Sequence, residues 1–296
     1  MTAAVETVRL GRRYGRTWAL RDCGLTVPSG RVVALVGPNG AGKTTLLNLL
    51  AGLIRPSAGH VLRFGEPVRD DTASLSRVAY MAQDSALYPT FRVEELLTFG
   101  RRLNPGWDDT LARDRLGRLG IPLGRRVRQL SGGQRAQCAL VLALAKRPDL
   151  LLLDEPLASL DPLARHDVMA VLMEMVALHD TTVVLSSHII ADLVETCDWL
   201  VAVNRGRVQL SGAIEELLAG HAVVGGPIEA RPMLPDRLPV VTETARGRQV
   251  DLLVRSTAEA HGPAWTARPP SLDELVRGYL GAPDASALPG PTAVVR

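Results

Sequence analysis

Long apolar runs are missing from this sequence. The longest, CALVLALA at 138–145 and the leucines of 150–153, fall far short of the ~20 residues that cross a bilayer. The opening residues, MTAAVETVRLGRRYG, carry no apolar core of a secretory signal, so the expectation is a chain that stays in the cytosol. Cysteine is scarce: Cys23, Cys138 and Cys197 stand far apart and match neither a disulfide framework nor a metal site, which leaves buried, reduced thiols. Lysine occurs only as Lys43 and Lys146. The remaining basic residues are arginines, scattered and without interleaved aromatics. A formal net charge of +3 in that form does not describe a nucleic-acid surface, and no nucleic-acid partner is expected. No extended heptad run appears, which excludes a long coiled coil.

The 296 residues are enough for roughly two domains. VRLGRRYG and WALRDCGLTVP, short apolar runs broken by glycine and proline, suit antiparallel strands. RVVALVG at 31–37 is a continuous β-branched run ending in glycine, as a buried central strand would be. GKTTLLNLLAGL then places Leu46, Leu47, Leu49, Leu50 and Leu53 at helical spacing. From about Phe91 to Ala145 the pattern is helical. Strand signals resume in LLLLD (150–154), TTVVLSS (181–187) and WLVAVNRGRVQL (199–210) with helical segments between them, which argues for a mostly parallel sheet. The fold expected is α/β, with an inserted helical subdomain at 91–145.

Beyond about residue 220 the composition changes. HAVVGGPIEARPMLPDRLP reads as a Gly- and Pro-rich linker with short strands, and VVTETARGRQVDLLVRS as a β-hairpin turning near Arg246-Gly247. PPSLDELVRGYLG holds a capping box, Ser271 to Glu274, ahead of an apolar stripe. The tail APDASALPGPTAVVR is expected to be disordered. The division expected is 1–220 for the main domain and 221–296 for a small α+β accessory region.

Two stretches carry nucleotide chemistry. GPNGAGKT at 37–44 fits G-x-x-x-x-G-K-[ST] at every position, between a β-run and a helix. Such glycines let the backbone curl around phosphates, the lysine reaches the β/γ oxygens, and the threonine hydroxyl binds magnesium. LLLLDEP at 150–156 ends a buried strand in two carboxylates, where ligands of parallel sheets sit. Asp154 would hold magnesium, and Glu155 would take the proton of an attacking water. LSGGQ at 130–134 looks like a second anion cradle, with successive backbone N–H groups opening a helix.

These three motifs in this order resemble the ATP-binding subunit of ABC transporters over roughly residues 3–218. The resemblance implies a P-loop NTPase core and ATP with Mg²⁺ as ligands. Gly37, Pro38, Asn39, Gly40, Ala41, Gly42, Lys43, Thr44 and Thr45 would cradle the phosphates. Thr44, Gln83 and Asp154 would hold the metal, and Glu155, Gln83 and His188 would act in catalysis. Tyr14 in RRYG matches the aromatic that stacks on adenine, and Gln83 in YMAQD the glutamine that also senses the membrane partner. Asp161 in SLD matches the acidic residue of the loop between two nucleotide sites, where Ser159 replaces the commoner Gly or Ala. His188 after TTVVLSS matches the switch histidine on the γ-phosphate.

In that family the signature loop cannot reach its own phosphate loop. Ser131, Gly132, Gly133 and Gln134 would therefore cap a nucleotide held by a second chain, an identical copy, packed head to tail. The resemblance further implies an active ATPase coupled to transport, peripheral at the inner membrane face, acting on separately encoded permease subunits. The ending SLDELVRGYL resembles the tails of ABC-2-type exporters of drugs, peptides or lipid-like molecules. The alternative is a soluble ABC ATPase working on ribosomes or another macromolecule.

Overall fold

The computed structural model describes residues 3–84, 87–158, 160–187, 189–190, 193, 196–235, 238–256 and 264–288. The chain begins with two long strands, β1 (Ala3–Tyr14) and β2 (Thr17–Pro28), joined by a tight turn at Gly15, and continues into β3 (Val32–Val36) and α1 (Lys43–Ala51). Next come β4 (Ala58–Arg63), β5 (Glu66–Pro67), the short α2 (Thr72–Ser76) and β6 (Val78–Met81). Three helices follow, α3 (Val93–Leu103), α4 (Asp109–Arg118) and α5 (Gly132–Ala145). The core is completed by β7 (Leu150–Leu153), α6 (Pro162–His179), β8 (Thr182–Ser187), β9 (Trp199–Asn204), β10 (Arg207–Ala213) and α7 (Ile214–Ala219). The last part holds β11 (Ala222–Pro227), β12 (Val240–Arg246), β13 (Gln249–Val254), β14 (Thr266–Arg268) and α8 (Leu272–Gly281).

Three sheets result among the described residues. The central one runs β10-β9-β3-β8-β7-β6, with every neighbouring pair parallel except β9 and β10. WLVAVNRGRVQL is therefore a hairpin, not one strand: Arg205 and Gly206 both take positive φ and reverse the chain. The antiparallel sheet β2-β1-β4-β5 lies beside the central one. Alternation along the strands divides the interior. Val33 and Leu35 of β3, with Leu150 and Leu152 of β7, pack toward α1 and the antiparallel sheet. Val32, Ala34 and Val36, with Leu151 and Leu153, pack toward α5 and α6. Strands buried on both faces have no polar side to show, which is why they read as unbroken apolar runs.

The helices at 93–145 enclose a core of their own, built around Leu97, Leu116, Val127 and Val141. The third sheet, β12-β13-β11-β14, lies beyond residue 220. Of the linker with short strands expected at HAVVGGPIEARPMLPDRLP, the strand is present as β11, but it is an interior strand paired with β13 and β14 and not part of a linker. The hairpin expected at Arg246-Gly247 is β12 to β13, with Gly247 at φ 63. Helix α8 opens with the Ser271–Glu274 capping box and packs Leu272, Leu275, Val276 and Tyr279 into the cluster shared with α5 and α6. The disordered tail expected from Ala282 is also corrected in its first part. Gln209 donates to the carbonyls of Ala282 and Ala285, and the Ala287 N–H donates to Gln209 O at 2.7 Å, so the segment to Leu288 is held on the edge of β10. The rest of that tail lies outside the described residues.

Candidate functional site

The loop between β3 and α1 is shaped by where side chains cannot fit. A Cβ at Gly37 would lie 2.2 Å from the carbonyl oxygen of Val203, and Gly42 takes φ 109 with Ala19 O only 2.8 Å from its would-be Cβ. Residues with side chains could not bring the backbone this close to β2 and β9. The loop is fixed further by the Ala41 N–H donating to Pro38 O and the Gly206 N–H donating to Ala41 O. Helix α1 begins directly behind it with Gly42 as N-cap, no side-chain cap and no acidic residue in the first turn. Its first N–H groups and its dipole are therefore available to an anion.

A cavity of ≈ 340 Å³ opens in front of that helix. Pro38, Asn39, Gly40, Ala41, Gly42, Lys43, Thr44 and Thr45 line it from one side; Gln83, Asp154, Glu155 and Ala19 complete it. Gly37 supports the loop from behind. The Lys43 ammonium donates to Gly37 O at 2.8 Å and lies 3.7 Å from Glu155 Oε1, with both side chains nearly buried. Glu155 follows β7 at φ 50, a left-handed conformation uncommon outside glycine.

Ser186 is the residue that the motif reading missed. Its hydroxyl donates to Asp154 Oδ1 at 2.7 Å and accepts the backbone N–H of Glu155 at 2.8 Å. Leu153 of β7 pairs with Leu185 of β8, and this register brings Ser186 beside the two acids. The two serines ending VVLSS were the available signal, but only the strand order shows what they face. Burial, and then the Asp154 carboxylate, push the Tyr80 hydroxyl up to about 12, so it stays protonated. Asp154 Oδ2 is buried and has no hydrogen-bond partner among the described residues. A buried carboxylate oxygen without a donor, beside the Thr44 hydroxyl and the Gln83 amide, suits a hard cation with oxygen ligands. No cluster of three acidic, histidine or cysteine ligands is found among the described residues, so such an ion would rest on few protein groups and on phosphate oxygens, as Mg²⁺ does.

Other residues singled out in the sequence stand elsewhere. Ser131 caps α5 in a reciprocal box with Gln134, hydroxyl to N–H at 3.1 Å, and Gly132 and Gly133 form the first turn; none of the four lines the cavity. Asp161 caps α6 through the Ala164 N–H. Tyr14 is half exposed at the end of β1 with the Arg12 guanidinium 4.8 Å from its ring centre, and it too lies off the cavity wall. His188 and Ser159 lie outside the described residues.

The ABC transporter family model matches residues 20–158. The chain is 33% identical over 194 residues to the ABC transporter ATP-binding protein YtrB of Bacillus subtilis, covering 66% of each chain. It is 35% identical to the Nod factor export ATP-binding protein I of Cupriavidus pinatubonensis (74% of this chain, 69% of that one). It is also 35% identical to the aliphatic sulfonates import ATP-binding protein SsuB 2 of Pseudomonas aeruginosa (76% and 85%). The chain thus spans about two thirds of the length of the first two of these relatives. A solved structure of an ATP-binding subunit of an ABC transporter superposes with a TM-score of 0.66 at 29% identity, over 72% of this chain and 91% of the other. Another, cbiO1 from Clostridium perfringens, described as part of the ABC transporter complex cbiONQ, gives 0.63 at 28% (74% and 92%). No helix among the described residues is long and apolar enough to cross a membrane. The chain belongs to the ABC transporter family, as one of its ATP-binding ATPase subunits.

Proposed function

We propose that this chain is one half of an ATP-driven clamp. Two copies close head to tail on two ATP molecules and move separately encoded permease subunits at the inner face of the membrane. The observation that carries this reading is the split between the two anion cradles. The cavity at Lys43 is lined by the 38–45 loop, Gln83, Asp154 and Glu155, while the cradle at Ser131–Gln134 lines no part of it. A C2 pair lets each chain supply what the other lacks.

In this mechanism the N–H groups of the 37–45 loop and α1 bind the β- and γ-phosphates, and Lys43 turns from Gly37 O to their oxygens. Thr44, Asp154 and Gln83 would hold a magnesium ion, whose charge offsets that of the phosphates when it is bound. Glu155 accepts the proton of the attacking water as its oxygen meets the γ-phosphorus. Ser186 keeps Asp154 and Glu155 in register. Ser131 and Gly133 of the second copy donate to the γ-phosphate, His188 contacts it from the same chain, and Tyr14 stacks on the adenine. Asp161 lies where the two sites adjoin. Once the γ-phosphate leaves, the bridge between copies is lost and the clamp opens.

The permease contact would lie beside Gln83. A groove of ≈ 330 Å³ runs there between β6 and α5, reaching Leu87. Next to it Tyr88 stacks on Phe91 with centroids 5.1 Å apart and meets Phe99 edge-on, with Tyr88 and Phe99 exposed. Exposed aromatics around a groove are typical of a protein contact. For the direction of transport we favour export of a drug, peptide or lipid-like substrate, on the likeness of the SLDELVRGYL ending; relatives of similar identity include an importer as well as an exporter.

Cross-linking tests the pairing. Asn39→Cys is made in one preparation and Ser131→Cys in another, both lacking the three native cysteines and carrying Glu155→Gln. After mixing, a 39–131 disulfide can form only between chains, and only if the Cα atoms come within about 7 Å. It should appear with ATP and Mg²⁺ and fade with ADP. Closed dimers that never yield this link would refute the head-to-tail arrangement.

A further inference from the structure

A second cationic cleft lies away from the nucleotide site, beside the far end of α1. Arg63, the last residue of β4, is 4% exposed, and among the described residues its guanidinium has no carboxylate partner. Its neutral partners are the Ser74 hydroxyl at 2.7 Å and the Ala51 carbonyl, at the C-terminal end of α1, at 3.4 Å. Arg63 forms part of the wall of a cavity of ≈ 280 Å³ whose rim carries Arg69 and Arg77. Arg77 sits over the Phe64 ring, 4.1 Å from its centre, and pairs with Asp149. Arg69 is exposed and makes no ion pair among the described residues. Two carboxylates share the wall: Asp71, whose Oδ1 accepts the Ser74 N–H as cap of α2, and the exposed Glu66.

Burying a guanidinium is costly unless something offsets it, and the Asp71 carboxylate on the cavity wall supplies part of the counter-charge. The α1 carboxyl terminus offsets part, by less than a full charge. Burial, and then the charge of Arg77, push Arg63 down against the opposing pull of Asp71, and burial and then Arg63 push Lys146 down. Planar guanidinium forks converging on a small cavity with a hydroxyl are the donor set that recognises tetrahedral oxyanions. The volume is that of a small ligand, not a macromolecular segment.

We infer that the cleft formed by Arg63, Arg69, Arg77 and Ser74 binds a phosphate-type oxyanion, such as a pyrophosphate or phosphate-ester group, independently of the nucleotide held at Lys43. Inorganic pyrophosphate is the probe. Binding is measured by calorimetry on the full chain saturated with ADP and Mg²⁺, so that the loop at 37–45 is already filled. One saturable site per chain is expected, weakening as salt is raised. Arg69→Gln, at an exposed position outside the nucleotide site, should weaken it about tenfold, the scale of one charge-assisted contact. Glu66→Gln should tighten it, because a repelling carboxylate is removed; a merely structural arginine cluster would not respond in this way. Lys43→Ala, which weakens the nucleotide site, should leave pyrophosphate binding intact, and a failure of ADP to bind wild type would be seen separately. Competition by phosphatidylglycerol but not phosphatidylcholine vesicles would place the phosphate on a headgroup; indifference to both places it on a soluble molecule. Absence of a saturable site under ADP, or affinities unchanged by both Arg69→Gln and Glu66→Gln, would overturn the assignment.

Discussion

Lys43 and Glu155 face each other at 3.7 Å, both almost out of solvent, at the carboxyl ends of β3 and β7. These strands are separated in the sheet by β8. The pairing brings together the cation that would receive the γ-phosphate and the carboxylate that would deprotonate the water attacking it. The contact orients both side chains before substrate arrives, and Lys43 turns from it to meet the phosphate oxygens.

Glu155→Gln should preserve ATP binding and slow hydrolysis by about 10²-fold or more, the usual worth of a positioned base. The amide keeps the shape but cannot accept the proton. Nucleotide binding by fluorescence and phosphate release by a coupled assay separate the two effects, and size-exclusion in ATP should show a persistent dimer. Turnover at the wild-type rate would remove Glu155 from the role of base.

Ser186→Ala removes the hydroxyl shared by Asp154 and the Glu155 N–H. It leaves a buried carboxylate oxygen without its donor and an N–H without its acceptor, a loss of about 1–3 kcal/mol in stability. Hydrolysis should fall more than ATP affinity, since the phosphate loop is untouched. Thermal melting and steady-state turnover read the two effects, and an unchanged kcat would show that Ser186 does not position the acids.

Two glycines in one loop should respond differently to alanine. At Gly37 the new Cβ would meet Val203 O at 2.2 Å, a backbone atom that cannot turn aside. At Gly40, with φ 78, there is strain but nothing within 4 Å. Gly40→Ala should cost about 1–2 kcal/mol, the usual left-handed penalty, and keep ATP binding. Gly37→Ala should lose more stability and most nucleotide affinity. Equal losses in urea denaturation would contradict the packing described.

The accessory sheet and α7 meet α8 through a histidine whose proton is placed by its neighbours. His221 Nδ1 lies 2.6 Å from Leu217 O, an acceptor only, so Nδ1 carries the hydrogen and Nε2 accepts the Tyr279 hydroxyl at 2.7 Å. Burial first, and then the charge of Arg255, hold His221 below its ordinary value of 6.5, against the opposing pull of the Leu217 carbonyl. The folded state thus refuses a proton that the unfolded chain accepts. Stability from this contact is complete above the unfolded value and declines as pH falls through the lower, folded one. The melting temperature should drop between about pH 7 and 5 in wild type, and drop less in His221→Phe. Parallel pH profiles would exclude His221 as the titrating group.

What is local could be read from the chain directly. Strand, glycine loop and helix at 31–53 could be read because turn chemistry, a β-branched run and 3.6-residue spacing are properties of adjacent residues. The capping box at Ser271–Glu274 was legible for the same reason, and so were the four buried leucines ending in Asp154 and Glu155. Which distant segments meet is settled by packing. Ser186 stands beside Asp154 because β8 lies next to β7 in a given register, and Ala19 reaches the cavity because β2 packs against the phosphate loop. A glycine- and proline-rich stretch became the interior strand β11, since pairing with β13 and β14 satisfied its backbone and outweighed its weak strand propensity. Ala282–Leu288, which composition marks as disordered, is held by Gln209 on the edge of β10. Pairings of this kind depend on which strand edges and apolar faces remain open after the rest of the chain has packed, and no window of neighbouring residues contains that information.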